Sequence, residues 1–97
     1  MRIFWTNTAY KSLQEITDYL SEEWNNETII QLFDEIEKPI ERIKQMPEIG
    51  ILSEDPRYRK ILINKHVSLF YEFEYSKITV MLFWSNYQDP SKLDHIL

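Results

Sequence analysis

Val67-Ser68-Leu69-Phe70-Tyr71-Glu72-Phe73-Glu74-Tyr75, then Ser76-Lys77, then Ile78-Thr79-Val80-Met81-Leu82-Phe83-Trp84: this stretch decides the fold. Its apolar residues recur at every second position, which is the period of an extended strand and not of a helix. In the first run Val67, Leu69, Tyr71, Phe73 and Tyr75 share one face, and Ser68, Phe70, Glu72 and Glu74 share the other. In the second, strict alternation puts Ile78, Val80, Leu82 and Trp84 on one face and Thr79, Met81 and Phe83 on the other. Ser76-Lys77 between them reads as the turn of a hairpin. Tyr58 to Ile63, ahead of the turn residues Asn64-Lys65, is one more strand of the same sheet, and Asn86-Tyr87-Gln88-Asp89-Pro90 closes it.

Upstream the period changes. Ala9, Leu13, Ile16, Leu20 and Trp24 are three or four apart with Lys11, Glu15, Asp18 and Glu22 between them, the pattern of an amphipathic helix that Thr6, Asn7 or Thr8 can cap. Asn25-Asn26 breaks it. Ile29, Phe33, Ile36, Ile40 and Ile43 then mark a second helix, with Pro39 predicting a kink because proline removes one backbone donor. Met46-Pro47-Glu48-Ile49-Gly50 stops that helix, and a loop runs on to Asp55-Pro56. With Arg2 to Trp5 as a first short strand, the order is β-α-α-β-β-β. That predicts an α+β domain in which an N-terminal helical hairpin packs on one face of an antiparallel sheet.

The 97 residues fit one domain, residues 1–97, and a chain of this size buries roughly 60–65% of its unfolded surface around a single core. There is no cysteine, which excludes disulfides, thiolate nucleophiles and thiolate metal sites. His66 and His95 alone make a poor metal site, and no metal or cofactor is expected. The N-terminus lacks the apolar run of a signal peptide, and no segment approaches membrane length, so a cytoplasmic location without a membrane partner is the expectation.

The net charge of −5 is unevenly spread. Residues 7–56 hold four bases (Lys11, Lys38, Arg42, Lys44) against twelve acids, whereas residues 57–65 hold Arg57, Arg59, Lys60 and Lys65 and no acid. A short basic strand is attached to an acidic helical part. Arg57, Arg59 and Lys60 are the candidate target-binding residues, although the same charges would also protect an edge strand from aggregation. Phe70, Met81 and Phe83 are the candidate anchors for a protein partner, because a sheet with helices on one side should present polar residues on the other. The competing reading has the C-terminal residues Leu93, Ile96 and Leu97 covering them.

These pieces together resemble the RelE/ParE superfamily, the toxins of bacterial type II toxin–antitoxin systems. The resemblance runs from residue 3 to about residue 93. It rests on Ala9 opening the first helix, on Met46-Pro47-Glu48-Ile49-Gly50, on Tyr58-Arg59-Lys60-Ile61, on Leu69-Phe70-Tyr71-Glu72, and on Gln88-Asp89-Pro90 with Lys92-Leu93. It implies a cognate antitoxin as partner, in a toxin–antitoxin hetero-oligomer. It also implies one of two targets: DNA gyrase for the ParE-like branch, which is not enzymatic, or ribosome-bound mRNA for the RelE-like endonucleases. Cleavage of RNA needs a base, an acid and a cation for the charged phosphorane. The cleaving branch commonly has arginine before the Leu-Phe-Tyr segment, where this chain has Ser68; Tyr87 is the one candidate acid or base near the end of the sheet. The negative net charge opposes entry among ribosomal phosphates and favours the gyrase-directed branch. The mRNA endonuclease and a non-toxic, antitoxin-binding remnant are the alternatives.

Overall fold

A computed structural model describes residues 2–23 and 26–86 of the chain. The anticipated elements are present with one addition: β1 (Arg2–Trp5), α1 (Asn7–Glu23), α2 (Asn26–Gln45), a two-residue β2 (Ile51–Leu52), β3 (Arg59–Leu62), β4 (Val67–Glu74) and β5 (Lys77–Ser85). They form an α+β fold around one five-stranded sheet in the order β1-β5-β4-β3-β2. All neighbours are antiparallel except β1, which lies parallel to β5 with Ile3 beside Ile78 and Trp5 beside Val80. The sheet is therefore mixed, although mostly antiparallel. The sequence pattern could not foresee the parallel pair, because a strand's own residues do not encode the direction of its neighbour.

Thr6 begins α1 as anticipated: its hydroxyl oxygen accepts the Ala9 amide at 3.0 Å, satisfying a donor that the first helical turn leaves unpaired. Ala9, Leu13 and Ile16 of α1 are buried against the sheet, together with Leu32, Ile36 and Ile43 of α2. Phe33 is not part of that stripe. It is 48% exposed, and Leu32 takes its place, because the buried face of the helix is Leu32, Ile36, Pro39 and Ile43 and Phe33 is turned roughly 90° away from its middle. The helix runs unbroken through Pro39, which is itself buried.

Strict alternation fails in β5. Phe70 pairs with Leu82 but Tyr71 pairs with Val80, so Met81 is an extra residue, a β-bulge. Beyond it every side chain changes face. Phe83 joins Leu69, Tyr71, Ile78 and Val80 in the helix-side core at 1% exposure, while Leu82 and Trp84 turn to the second face beside Phe70. The bulge withdraws backbone groups from the ladder, and α1 with its cap satisfies them. Thr6 Oγ1 donates to the Met81 carbonyl at 3.0 Å, and the Phe83 amide donates to Ser12 Oγ at 2.9 Å. The β4–β5 turn also lies one residue earlier than the sequence pattern suggests. Tyr75 and Ser76 occupy it with φ of 52° and 62°, the double left-handed geometry of a two-residue hairpin turn usually built from Asn and Gly.

Candidate functional site

The three candidate cations of the basic stretch have three different surroundings. Arg57 is held by Asp55: its Nη2 lies 2.6 Å from Oδ2, its Nε 3.1 Å from Oδ1, and its backbone amide 3.1 Å from Oδ1. These hydrogen bonds hold the Asp55 carboxyl below its ordinary range and raise the guanidinium further. Both groups are solvated, so the pair stabilises little, but it cancels the charge that Arg57 would offer a target.

Arg59 faces the helix side of the sheet, opposite Tyr71. Its Nη1 donates to the carbonyls of Glu48 at 3.0 Å and Gly50 at 2.8 Å. The Tyr71 hydroxyl completes the clamp, donating to the Pro47 carbonyl at 2.7 Å and accepting the Gly50 amide at 2.9 Å. The two side chains thus hold the helix-stopping segment 47–50 by four hydrogen bonds. Burial raises the Tyr71 phenol above its ordinary pKa, against the lowering effect of the Gly50 hydrogen bond and of the Arg59 charge. Gly50 must be glycine here, because a Cβ would stand 2.7 Å from the Tyr71 hydroxyl oxygen and 3.0 Å from the Arg59 Cβ. Arg59 is a structural staple.

Lys60 is the residue that remains. Alternation turns it to the second face, where it is exposed, with its ammonium 6.0 Å from the centre of the Phe70 ring. In register, Ile51, Lys60, Phe70 and Leu82 form one row across that face, and Leu62, Ser68 and Trp84 form the next. The inner part of this surface is buried: Phe70, Leu82 and Trp84 are at most 3% exposed. The outer part is open, with Ile51 77% and Leu62 59% exposed.

The three expected anchors have three different places. Phe83 lies on the opposite side, carried there by the bulge; Phe70 stays on the second face but is buried; Met81 is half-buried at the bulge itself. Sequence reasoning missed Leu82 and Trp84, which only the register reveals, and Ile51, because a two-residue strand has too few positions to show a period. Had β2 been recognised, the adjacent apolar pair Ile51-Leu52 was the available signal.

Ser68 is fully buried and donates to Asn86 Oδ1 at 2.8 Å, while the Asn86 amide groups bind the His66 and Lys65 carbonyls. It closes the end of the sheet and offers no positive charge. Tyr87, the candidate acid or base, and the C-terminal residues Leu93, Ile96 and Leu97 lie outside the described residues. Among the described residues no group of three His, Cys, Asp or Glu is placed to hold a metal, and no helix is long and apolar enough to cross a membrane.

Residues 3–90 match the family described as the ParE toxin of type II toxin–antitoxin system, parDE. The chain belongs to the ParE toxin family. Membership places it among the toxins of type II toxin–antitoxin systems. Its fold is similar to that of a chain from the chromosomal ParDE TA system of P. aeruginosa, at a TM-score of 0.69 and 20% identity over 88% of this chain and 95% of the other. It is also similar to the YoeB/ParE toxin from Agrobacterium tumefaciens, at a TM-score of 0.62 and 14% identity over 90% and 100% of the two chains. No curated protein matches the sequence. The matched residues include this chain's basic strand, clamp and bulge.

Proposed function

We infer that this ParE-family toxin arrests growth by binding DNA gyrase in the bacterial cytoplasm, and that its antitoxin neutralises it by covering the surface around Lys60. The observation that carries the choice of target is the second face of the sheet. A nuclease would need an acid, a base and a cation there. Around Lys60 this face presents Phe70, Leu82 and Trp84 and a buried Ser68 spent on Asn86, while Glu72, Glu74 and Lys77 follow toward the β4–β5 turn. Such a surface can bind, and its Ser68 supplies no cation for a charged phosphorane. Lys60 is the target contact; Arg57 is neutralised by Asp55, and Arg59 supports the strand from the other side.

The test is gyrase supercoiling with purified toxin, run beside cleavage of mRNA on programmed ribosomes. The expected result is loss of supercoiling and intact mRNA, with Lys60→Glu relieving the inhibition. Cleavage of ribosome-bound mRNA that disappears in Tyr87→Phe would instead assign the chain to the endonuclease branch, and inactivity in both assays would mark an antitoxin-binding remnant.

A further inference from the structure

We propose that the chain's own C-terminal segment, residues 87–97, folds back over the second face of the sheet and seats Leu93, Ile96 and Leu97 on Phe70, Leu82 and Trp84.

The burial asks for a cover. Phe70, Leu82 and Trp84 are 2%, 2% and 3% exposed, although both helices pack on the opposite face, against Leu69, Ile78 and Val80. Side chains on one face of a sheet stand roughly perpendicular to it, so they touch one another's flanks and leave their outer ends open to water. Among the described residues Met81 is the apolar side chain packed against the three. One half-buried methionine at the bulge cannot close over a phenylalanine, a leucine and a tryptophan. The same rows show what an uncovered position looks like: Leu62, in the row of Trp84, is 59% exposed, and Ile51, in the row of Phe70, is 77% exposed. Burial is thus complete on β4 and β5 and fades on β3 and β2. The cover lies over the β5 half of the face.

That is where the chain leaves the sheet. β5 ends at Ser85, one residue after Trp84, and residues 87–97 follow. The other segments begin elsewhere. Met1 adjoins Arg2, which pairs with Lys77 at the far end of β5, while Trp24 and Asn25 join the two helices of the opposite face. Reach is ample: Trp84 to Leu82 is about 7 Å along the strand and β5 to β4 about 5 Å, whereas the stretch 87–97 can extend to roughly 36 Å. The excess lets the chain reverse, and Pro90, which cannot continue a ladder, falls between the exit and the apolar residues. Leu93, Ile96 and Leu97 are interspersed with Lys92, Asp94 and His95, so the segment can put its carbon on the sheet and keep its charged groups in water.

The burial belongs to the single chain, so a second copy is not needed to produce it. The surface left to a partner is the rim, Lys60 with Ile51 and Leu62, and an apolar partner reaches Phe70 or Trp84 only by displacing the segment. This holds whatever the cellular target is.

The test uses the isotopically labelled full chain. Because the sequence has no cysteine, Asp94→Cys carries a nitroxide at one place only. The expected result is attenuation of the Phe70, Leu82 and Lys60 amide signals that exceeds attenuation at Leu13, Leu32 and Ile36, and that is lost when Leu93→Ser and Ile96→Ser are added. In the same double variant without the nitroxide, the fluorine resonance of 5-fluorotryptophan at position 84 should gain a solvent isotope shift in heavy water that the wild type lacks. The proposal fails if the nitroxide attenuates the helix side as strongly, if it leaves Phe70 untouched, or if the folded double variant keeps the wild-type attenuation. It also fails if the attenuation passes from spin-labelled chains to isotopically labelled ones in a mixture, which would make the cover a second copy. Should the double variant not fold, the Asp94→Cys protein decides alone.

Discussion

Both faces of the sheet bury apolar side chains, but they are finished in different ways. On the helix side, Leu69, Tyr71, Ile78, Val80 and Phe83 meet Ala9, Leu13, Ile16, Leu32, Ile36 and Ile43, and even the cation there, Arg59, is spent on backbone carbonyls. On the second side, Phe70, Leu82 and Trp84 are buried but give way to exposed Ile51 and Leu62 around a solvated Lys60. Arg59 and Lys60 are sequence neighbours of the same sign. One stiffens a loop and the other faces outward, so a basic stretch reports on function only after each charge has been followed to its partner.

The contrast is most directly broken at Phe83. If it belongs to the helix-side core, Phe83→Ala should cost about 3–5 kcal/mol in urea unfolding, as for other large buried aromatics. A cost below about 1 kcal/mol would return it to a solvent-facing row and remove the bulge from the account. Gly50→Ala comes next. Its methyl group must displace Tyr71 or Arg59, and the expected loss is about 1–3 kcal/mol, the usual range for overpacking; an unchanged midpoint would mean that the clamp yields freely.

Tyr71→Phe sharpens the same point by deleting the hydroxyl that joins Pro47 to Gly50. Leaving that donor and acceptor unpaired should cost about 1–3 kcal/mol, and the variant should also differ in pH dependence. Because the folded phenol titrates above its unfolded value, its contribution is full below the ordinary pKa near 10 and is lost as the pH rises through the folded value. Wild type should therefore lose stability more steeply than Tyr71→Phe in alkali, measured by denaturant midpoints on either side of that pH. Parallel slopes would show that Tyr71 is not buried in this way.

The smallest stability effect belongs to Lys60→Glu. An exposed charge with no salt bridge should change stability by no more than about 0.5 kcal/mol, while toxicity on induced expression falls. Arg59→Glu should lose both together, because the loop loses its staple. If Lys60→Glu folds normally and still arrests growth, the second face is not the target surface.

The hairpin, the helix-stopping segment and the basic stretch were legible because each is written in local chemistry: period, punctuation and sign. The bulge was not, since Val80, Met81 and Leu82 are all apolar and nothing in their order marks the extra residue. The parallel β1–β5 pair and the two-residue β2 were equally hidden, the first because direction belongs to a pair of strands and the second because two residues have no period. Of the candidate site, Lys60 stays exposed, Arg57 and Arg59 acquire local partners, and Phe83 changes sides.

The pairing of β1 with β5 has a consequence for how the molecule comes into being. Arg2–Trp5 leave the ribosome first among the described strands, but their only neighbour in the sheet is Lys77–Ser85, the last. Contacts of such large sequence separation form late, because the intervening chain must be closed into a loop before they contribute. The helical hairpin can collapse during synthesis, yet its apolar stripe has no finished sheet to cover until β5 has emerged. A nascent chain that stops short of β5 therefore holds Lys60 without the sheet that presents it.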